Sequence, residues 1–293
     1  MKKGFYTALG TPLDENGRLC AESMARQIRQ QVDAGVSGLL VMGSMGNQPY
    51  IRNSEFAKVA ACSAEAAAGE AAVLVGVTDV SIGRVLDRIE ALSGIEGIDG
   101  VVSTVPYYSA CNQEDIYTFY SSIADKSPWP VYLYDLAVVT KTATAASTVR
   151  RLWKHPNIKG IKSGNLVTQR ILMRAEDRPA DFSLMFSNID EFDIAYKFGI
   201  DKNLDGMFAC TPKTAQKMYQ ALDNGDMAAA GNYLDQILAL RDLFLSTPCL
   251  MTAFSHAMNL LGCEGNFGKD YQRDISDDHK ARVTAAMKAM GEI

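Results

Sequence analysis

Three side chains that could do chemistry come directly after short apolar runs of the sequence. Lys162 ends the run Ile158–Lys162, Tyr134 ends the run Val131–Tyr134, and Ser44 stands in a glycine-flanked turn after a third run. A neutral amine adds to a keto group to form a Schiff base, and the iminium then acts as an electron sink for the adjacent carbon–carbon bond. A tyrosine hydroxyl can carry the protons that this chemistry moves. The pattern therefore indicates Schiff-base chemistry at a lysine, provided that the fold brings the three residues together.

The histidines and cysteines indicate neither a metal site nor a disulfide framework. Metal-assisted aldol chemistry needs clustered histidines and carboxylates, whereas the three histidines are far apart in the chain. The six cysteines form no CxxC pair, and such isolated cysteines are typical of reduced intracellular thiols. We therefore expect no metal and a cytoplasmic location.

The composition is that of a globular protein with small-molecule partners. The 293 residues are 47% hydrophobic and 22% charged, with a net charge of -5. No block of lysine and arginine could neutralise a phosphate backbone, so nucleic acid is not expected as a partner. No apolar run reaches the ~18 residues of a membrane span, and the first residues do not resemble a signal peptide.

Eight short apolar or β-branched runs alternate with segments of helical period, which is the pattern of parallel strands joined by crossover helices. The predicted strands are Phe5–Leu9, Gly38–Met42, Val73–Gly76, Val101–Thr104, Val131–Tyr134, Ile158–Lys162, Ser183–Phe186 and Asp205–Phe208. Eight such units in series favour a closed (β/α)8 TIM barrel. An open nucleotide-binding sheet is disfavoured because no GxGxxG turn follows the first strand.

Helical segments are predicted between these strands and beyond the last one. They include Ser23–Ala34, Asn53–Ala68, Ile82–Leu92, Gln113–Ala124 and Ala145–Trp153, followed by Thr214–Leu222, Asp226–Leu245, Met251–Leu261 and Asp277–Met290. Asn53 and Asn112 are predicted as N-cap or first-turn residues of two of them. We expect residues 1–223 to form the barrel and residues 224–293 to form an appended C-terminal helical layer, with no linker between them.

The active site of such a barrel lies at the carboxyl ends of its strands, where the candidate residues fall. Alternate residues of a strand point to opposite faces. Tyr132 and Tyr134 should therefore share the inner face of the fifth strand. Gly160 and Lys162 should share the inner face of the sixth, with the glycine leaving room beside the lysine. Lys159 has the opposite parity and is the weaker candidate.

The order of these motifs resembles that of the dihydrodipicolinate synthase/N-acetylneuraminate lyase superfamily of Schiff-base-forming aldolases. The shared motifs are Leu9–Pro12, Gly43–Gly46, Val105–Tyr108, Leu133–Tyr134 and Ile158–Lys162. The resemblance implies that Lys162 forms the Schiff base and that Tyr134 is the acid/base residue. Tyr108 is similar to a tyrosine that completes the proton relay in several members, sometimes across a subunit interface.

The resemblance also implies a substrate-binding group and an assembly. Ser44 corresponds to the hydroxyl that holds the keto-acid carboxylate, and Gly43, Met45 and Thr11 from the same motifs are assigned to substrate binding with it. The family is commonly tetrameric and needs no metal or organic cofactor. We therefore expect a homo-oligomer, a tetramer or a dimer, that acts on a keto acid and an aldehyde.

Several residues depart from the usual family pattern. Met45 removes a second hydroxyl from the glycine turn, and Asn47 removes a carboxylate. Asp135 and Ala137 replace the usual asparagine and proline, and Ser163 replaces the usual aspartate after the lysine.

One more departure bears on the substrate. Val139 stands where dihydrodipicolinate synthases carry an arginine for the second substrate, although Lys141 is close in sequence. We therefore predict a pyruvate-dependent class I aldolase or lyase acting on a 2-keto-3-deoxy sugar acid. Dihydrodipicolinate synthase is the alternative. A dehydratase using the same imine and a catalytically weak keto-acid-binding barrel remain further possibilities.

Overall fold

Eight parallel strands form a closed barrel in the computed structural model, which describes residues 1–293. Each strand pairs with its sequence neighbours, and the last pairs with the first. The strands are β1 Gly4–Ala8, β2 Gly38–Val41, β3 Ala72–Gly76, β4 Gly100–Thr104, β5 Val131–Asp135, β6 Ile158–Ser163, β7 Ser183–Phe186 and β8 Lys202–Asp205. The predicted (β/α)8 TIM barrel is confirmed.

Twelve α-helices surround or extend this barrel. They are α1 Ala21–Asp33, α2 Asn53–Ala67, α3 Ile82–Glu90, α4 Gln113–Ala124, α5 Ala137–Thr140, α6 Ala146–Leu152, α7 Leu166–Met173, α8 Phe192–Lys197, α9 Pro212–Asp223, α10 Met227–Leu245, α11 Leu250–Leu260 and α12 Asp277–Met290. The last three form the predicted C-terminal helices. No helix is long and apolar enough to cross a membrane.

The inner face of the barrel is filled by side chains of alternating strand residues. Tyr132 and Tyr134 lie in the inner cluster, whereas Val131 and Leu133 pack in the outer layer between strands and helices. The predicted strand parity is therefore confirmed. The expectation about Gly160 is wrong in one respect, because its free space is occupied by the ring of Tyr132 rather than left beside the lysine.

The predicted position of the eighth strand is wrong. The strand is Lys202–Asp205, and a short 3-10 turn, Met207–Ala209, occupies half of the range assigned to it. All four residues of the strand pair with β1. The Asp205 carboxylate then accepts a hydrogen bond of 2.8 Å from the Met207 N–H, which starts the turn. The apolar run after Gly206 is therefore a buried turn and not the strand itself.

The two residues predicted at helix starts, Asn112 and Asn53, occupy different positions in their helices. The Asn112 side chain accepts hydrogen bonds from the N–H groups of Glu114 and Asp115, and the Asp115 carboxylate accepts one from the Asn112 N–H in return. This reciprocal arrangement is a capping box. Asn53 is the first residue of α2 and so lies in its first turn, while Arg52 before it makes no side-chain cap.

The chain after α11 returns to the mouth of the barrel. Asn266 and Leu13 exchange two backbone hydrogen bonds of 2.8 and 3.0 Å. The N–H of Phe267 donates to the hydroxyl of Ser255 on α11, at 2.8 Å. These bonds hold the segment between α11 and α12 against the loops at the carboxyl ends of the strands.

Candidate active site

The turn after β2 is held in a fixed shape. Met42 and Asn47 at its two ends have φ values of 54° and 51°, which non-glycine residues rarely adopt. The carbonyl oxygen of Met42 lies against Gly76, where an added Cβ would come within 2.0 Å of it. The Thr11 hydroxyl donates to the Gly46 carbonyl at 2.8 Å. Backbone conformation and neighbouring contacts together fix the side chains at the apex of this turn.

The apex of the turn brings Ser44 to Tyr134. Ser44 Oγ and Tyr134 Oη lie 2.9 Å apart, and either can be the donor. Tyr134 is only 5% exposed on the inner face of β5. Its N–H donates to the hydroxyl of Tyr120, which in turn donates to the Ser103 carbonyl at 2.7 Å. Two hydroxyls in contact can exchange a proton, so this pair can serve as a relay.

Lys162 lies beside the tyrosine on the neighbouring strand. The two residues are register partners between β5 and β6. Lys162 is 6% exposed, and its Nζ lies 3.9 Å from the centre of the Tyr134 ring. An ammonium over an aromatic face is attracted by the ring quadrupole. The Tyr134 ring therefore holds the amine at the top of the barrel interior.

Asp205 at the end of β8 is an acidic group in electrostatic reach of this lysine. Burial raises the pKa of the Asp205 carboxyl, while the N–H of Met207 and the ammonium of Lys162 act in the opposite direction. Burial penalises the charged form of a carboxyl, and a nearby cation favours it. The net direction for the pKa of Asp205 is upward, so burial outweighs the two opposing influences.

Two residues that depart from the family pattern contact each other. Asp135 and Ser163 directly follow Tyr134 and Lys162 and are register partners. The Ser163 hydroxyl donates to the Asp135 carboxylate at 2.8 Å, and the other carboxylate oxygen accepts from the Thr144 N–H at 2.9 Å. Both side chains are buried. The carboxylate expected on β6 is thus provided by β5, and the hydrogen bond between the strands is kept.

A cavity of ≈ 340 Å³ opens above these residues, at the carboxyl ends of the strands. Its lining includes Ser44, Tyr134, Gly43, Thr78, Thr104, Tyr107, Leu136, Val139, Asn47, Gln48, Tyr50, Met251 and Lys269. Lys162 is not itself in this wall, but Tyr134, which contacts it, is. The cavity is therefore large enough for a small substrate and reaches Tyr134, the residue that contacts the lysine.

The remaining predicted residues do not all reach the cavity. Tyr108 is 82% exposed on the single chain, and its neighbour Tyr107 lines the cavity instead. Burial and the nearby Asp79 carboxylate raise the pKa of Tyr107. Lys141 donates to the Tyr108 carbonyl at 3.0 Å and does not line the cavity. Lys141 therefore does not occupy the place of the missing arginine.

Thr11 and Met45 also lie outside the cavity wall. Thr11 is 2% exposed and supports the turn through its bond to Gly46. The Met45 side chain packs over Gly206 beyond β8, where an added Cβ would come within 2.8 Å of it. Gly43 and Ser44 are the predicted binding residues that do line the cavity.

Of the 18 residues in the cavity wall, only Gly43, Ser44 and Tyr134 were predicted site residues, so Gln48, Tyr50 and Lys269 are among those that were missed. Gln48 and Tyr50 follow the glycine turn, and Lys269 comes from the C-terminal layer. The turn motif could have suggested Gln48 and Tyr50, because residues that follow such a turn lie at the same rim of the barrel. No signal in the sequence links Lys269 to this rim, since it lies far along the chain in an irregular segment.

The closed barrel has a cavity at the carboxyl ends of its strands, which is where barrel enzymes have their active sites. A profile described as the Dihydrodipicolinate synthetase family matches residues 1–290. The chain therefore belongs to this family, and it is a carbon–carbon lyase of the aldolase type.

Curated relatives carry one consistent name. The chain is 32% identical over 181 residues to a 4-hydroxy-tetrahydrodipicolinate synthase of Gluconobacter oxydans, a match that spans 61% of each protein. It is 25% identical to the synthase of Gluconacetobacter diazotrophicus over 99% of this chain and 98% of the relative. These names match the alternative function in the sequence analysis better than the sugar-acid lyase.

Solved structures share the fold over the whole chain. Dihydrodipicolinate synthase from Thermotoga maritima superposes with a TM-score of 0.90 at 23% identity, covering 100% of both chains. A prophage protein of the dihydrodipicolinic acid synthase family from E. coli K12, solved in complex with pyruvate, has a TM-score of 0.90 at 19% identity, also covering 100% of both chains. At these identities the likeness concerns the fold.

Proposed function

We propose that this protein is a pyruvate-dependent aldolase-type lyase that works through a Schiff base at Lys162. The observation that carries the proposal is the contiguous set formed by Lys162, Tyr134 and Ser44. The amine lies 3.9 Å from the Tyr134 ring centre, and the Tyr134 hydroxyl lies 2.9 Å from the Ser44 hydroxyl. A nucleophile next to a proton carrier that is itself oriented by a third group is the arrangement that covalent catalysis requires.

The chemistry follows from these groups. The neutral Lys162 amine adds to the keto carbon of pyruvate, and the loss of water leaves an iminium. Loss of a proton from the methyl carbon gives an enamine, whose electron pair forms the new bond to the carbonyl carbon of an aldehyde. The aldehyde oxygen takes up a proton, and water then releases the product and the free amine. The Tyr134 and Ser44 hydroxyls carry these protons, and cleavage is the same sequence reversed.

The turn after β2 supplies a place for the pyruvate carboxylate. The N–H groups of Ser44, Met45 and Gly46 make no hydrogen bond within the chain. Successive free N–H groups in a turn form an anion-binding concavity. This supports carboxylate binding by the backbone, so the hydroxyl that Met45 lacks is replaceable. The Ser44 hydroxyl is then available to the relay with Tyr134 rather than being used on the carboxylate alone.

Two second substrates are candidates. The names of the relatives favour condensation of pyruvate with aspartate semialdehyde, as in a 4-hydroxy-tetrahydrodipicolinate synthase. The structure of the cavity wall favours a 2-keto-3-deoxy sugar acid. Val139 lines the cavity and has no charge, and Lys141 contacts the Tyr108 carbonyl outside the cavity, so neither replaces the positive charge of the family arginine. Turnover with aspartate semialdehyde and with a panel of 2-keto-3-deoxy sugar acids separates the two.

We also propose that the protein is a homo-oligomer in the cytoplasm. Val167 and Ile171 on α7, with Phe198 after α8, are 69%, 51% and 48% exposed. Exposed apolar side chains on neighbouring elements are typical of subunit contacts. Tyr108 is free on the surface to reach a second copy. The six cysteines are all unpaired, as is common in a reducing compartment. Sedimentation of the purified protein tests the assembly.

One experiment tests the proposed catalytic step. The protein is incubated with pyruvate and borohydride, which reduces an imine to a stable secondary amine, and the modified peptide is identified by mass spectrometry. The expected result is one adduct on Lys162. Folded protein without an adduct at this residue would exclude the aldolase and leave the weak keto-acid-binding barrel as the better account.

A further inference from the structure

We propose that Lys269 and Gln48 recognise a carboxylate on the aldehyde partner, so that the enzyme prefers acidic aldehydes to neutral sugar aldehydes. This inference rests on the proposed function, because it concerns the second substrate of the same cavity. In this proposal the positive charge that the family arginine would supply comes from Lys269 in the C-terminal layer. Four observations about the cavity support it.

The first observation concerns charge. Lys269 is the single charged side chain among the residues that line the cavity. It makes no salt bridge to a carboxylate of the chain, and its Nζ lies 4.7 Å from the ring centre of Tyr50 and 5.8 Å from that of Tyr271. The two tyrosines hold the ammonium at the cavity, and Lys269 lowers the pKa of the Tyr50 hydroxyl, but no carboxylate of the chain neutralises the lysine. A cation with no acidic partner in a mostly apolar cavity favours an anionic ligand.

The second observation explains why the lysine is there. The amide of Asn47 donates to the Phe267 carbonyl at 2.6 Å, which ties the segment before Lys269 to the turn after β2. A carboxylate at position 47, as is usual in the family, has no hydrogen to donate and would repel this carbonyl. The departure at Asn47 therefore brings a cation from the C-terminal layer to the cavity.

The third observation is an unpartnered amide. Gln48 lines the cavity and is 1% exposed, yet neither its amide nitrogen nor its amide oxygen has a hydrogen-bond partner in the chain. Buried polar groups are nearly always satisfied, so an unsatisfied one in a cavity wall indicates a ligand. The amide nitrogen can donate to a carboxylate, and the amide oxygen can accept from an adjacent hydroxyl or ammonium.

The fourth observation is the wall around Val139. Val139 and Leu136 line the cavity after β5, and Met251 from α11 lines it as well. None of these three side chains can pair with a carboxylate. A carboxylate on the aldehyde therefore finds its charge partner at Lys269 rather than near β5, which makes Lys269 a specificity-determining residue.

The test compares two aldehydes in several variants. We measure kcat/KM with pyruvate and either aspartate semialdehyde, which carries a carboxylate, or glyceraldehyde, which does not. The wild type is expected to prefer the acidic aldehyde. Lys269→Met removes the charge at similar length and should lower the ratio of the two kcat/KM values by about 10- to 100-fold, which is typical for a hydrogen bond to a charged group. Lys269→Arg should retain most of the preference.

Two further variants and a control sharpen the result. Asn47→Asp keeps a residue that tolerates a positive φ but removes the donor to Phe267, and it should lower the ratio in the same direction. Val139→Arg combined with Lys269→Met should recover the preference by supplying the cation from β5. Lys154→Met changes an exposed lysine outside the cavity and should leave the ratio unchanged.

The outcomes separate this inference from the proposed function. A wild type that prefers glyceraldehyde, or a Lys269→Met variant whose ratio is unchanged, overturns the inference. A borohydride adduct at Lys162 without turnover of aspartate semialdehyde also overturns the inference while leaving the Schiff base intact. Absence of the pyruvate adduct in the wild type overturns the proposed function instead.

Discussion

The two ends of the cavity are built in different ways. The imine end consists of Tyr134 and Lys162, which are buried register partners on adjacent strands. The far end consists of Gln48 and Tyr50 from a loop and Lys269 from a segment that is more than 200 residues further along the chain. Strand residues are held by the whole barrel, whereas loop residues are held by a few local bonds.

This difference separates chemistry from specificity. The proposed nucleophile and the proposed proton carrier depend on the barrel, which all members of the fold share. The group that would select the aldehyde depends on contacts between loops, the bridge between Leu13 and Asn266 and the bond from Asn47 to the Phe267 carbonyl. A family of this kind can thus keep one reaction and change its substrate through loop residues.

The largest effect is expected at Lys162. Lys162→Ala removes the nucleophile and should lower kcat by about 10⁴-fold or more, as is common when a covalent nucleophile is deleted. The matched control is Lys159→Met on the same strand. Lys159 points outward and pairs with Asp181, so this variant should keep near wild-type kcat. Equal losses in both variants would mean that the inner face of β6 has no special role.

The next effect separates the two tyrosines of β5. Tyr134→Phe removes the proton carrier and should lower kcat by about 10²- to 10⁴-fold, the usual range for general acid–base groups. Tyr132→Phe removes a hydroxyl from the same strand face deeper in the barrel and should leave kcat close to normal. Steady-state kinetics with borohydride trapping measures both, and a stronger effect at Tyr132 would contradict the assignment.

A smaller effect tests the hydrogen bond between the two catalytic strands. Asp135→Asn or Ser163→Ala should each lower the free energy of unfolding by about 1–3 kcal/mol, because each weakens or deletes a buried bond to a carboxylate. The combined change Asp135→Asn and Ser163→Asp moves the carboxylate back to β6 and should recover most of the loss. Chemical denaturation measures this. If the loss of unfolding free energy in the double variant equals the sum of the losses in the single variants, the residues at positions 135 and 163 do not compensate for each other.

The smallest effect is expected at Gln48 in the far end. Gln48→Leu removes both amide atoms and should raise KM for the acidic aldehyde by about 2- to 10-fold, the range of a neutral hydrogen bond. KM for pyruvate should not change, because pyruvate binds at the other end of the cavity. A larger change in KM for pyruvate than in KM for the aldehyde would mean that the roles of the two ends are assigned the wrong way round.

The sequence predicted the imine end because strand periodicity is a local property. Seven strands agree with their predicted positions to within a residue or two, and the inward direction of Tyr134 and Lys162 follows from alternation along single strands. The eighth strand was misplaced because its polar residues hide the strand pattern and a buried apolar turn follows it. The contact between Asp135 and Ser163 depends on register between strands, which no single run encodes.

The far end could not be predicted for the same physical reason. Lys269 reaches the cavity only through the bridge between Leu13 and Asn266 and the bond from Asn47 to Phe267. These contacts join irregular segments, and their geometry depends on the packed tertiary structure. Tyr108 is a similar case. It is exposed on a single chain, so its predicted relay role requires a contact between two copies of the chain.

A crystal structure of the protein grown with pyruvate tests the central claim most directly. We predict continuous electron density from Lys162 Nζ to the keto carbon, with the carboxylate on the N–H groups of the turn at Ser44 and the methyl carbon facing the Tyr134 hydroxyl. Lys269 should remain free for the second substrate. Pyruvate bound without a covalent link, with its carboxylate on Lys269 and Lys162 unmodified, would contradict the division of the cavity into a chemical end and a recognition end.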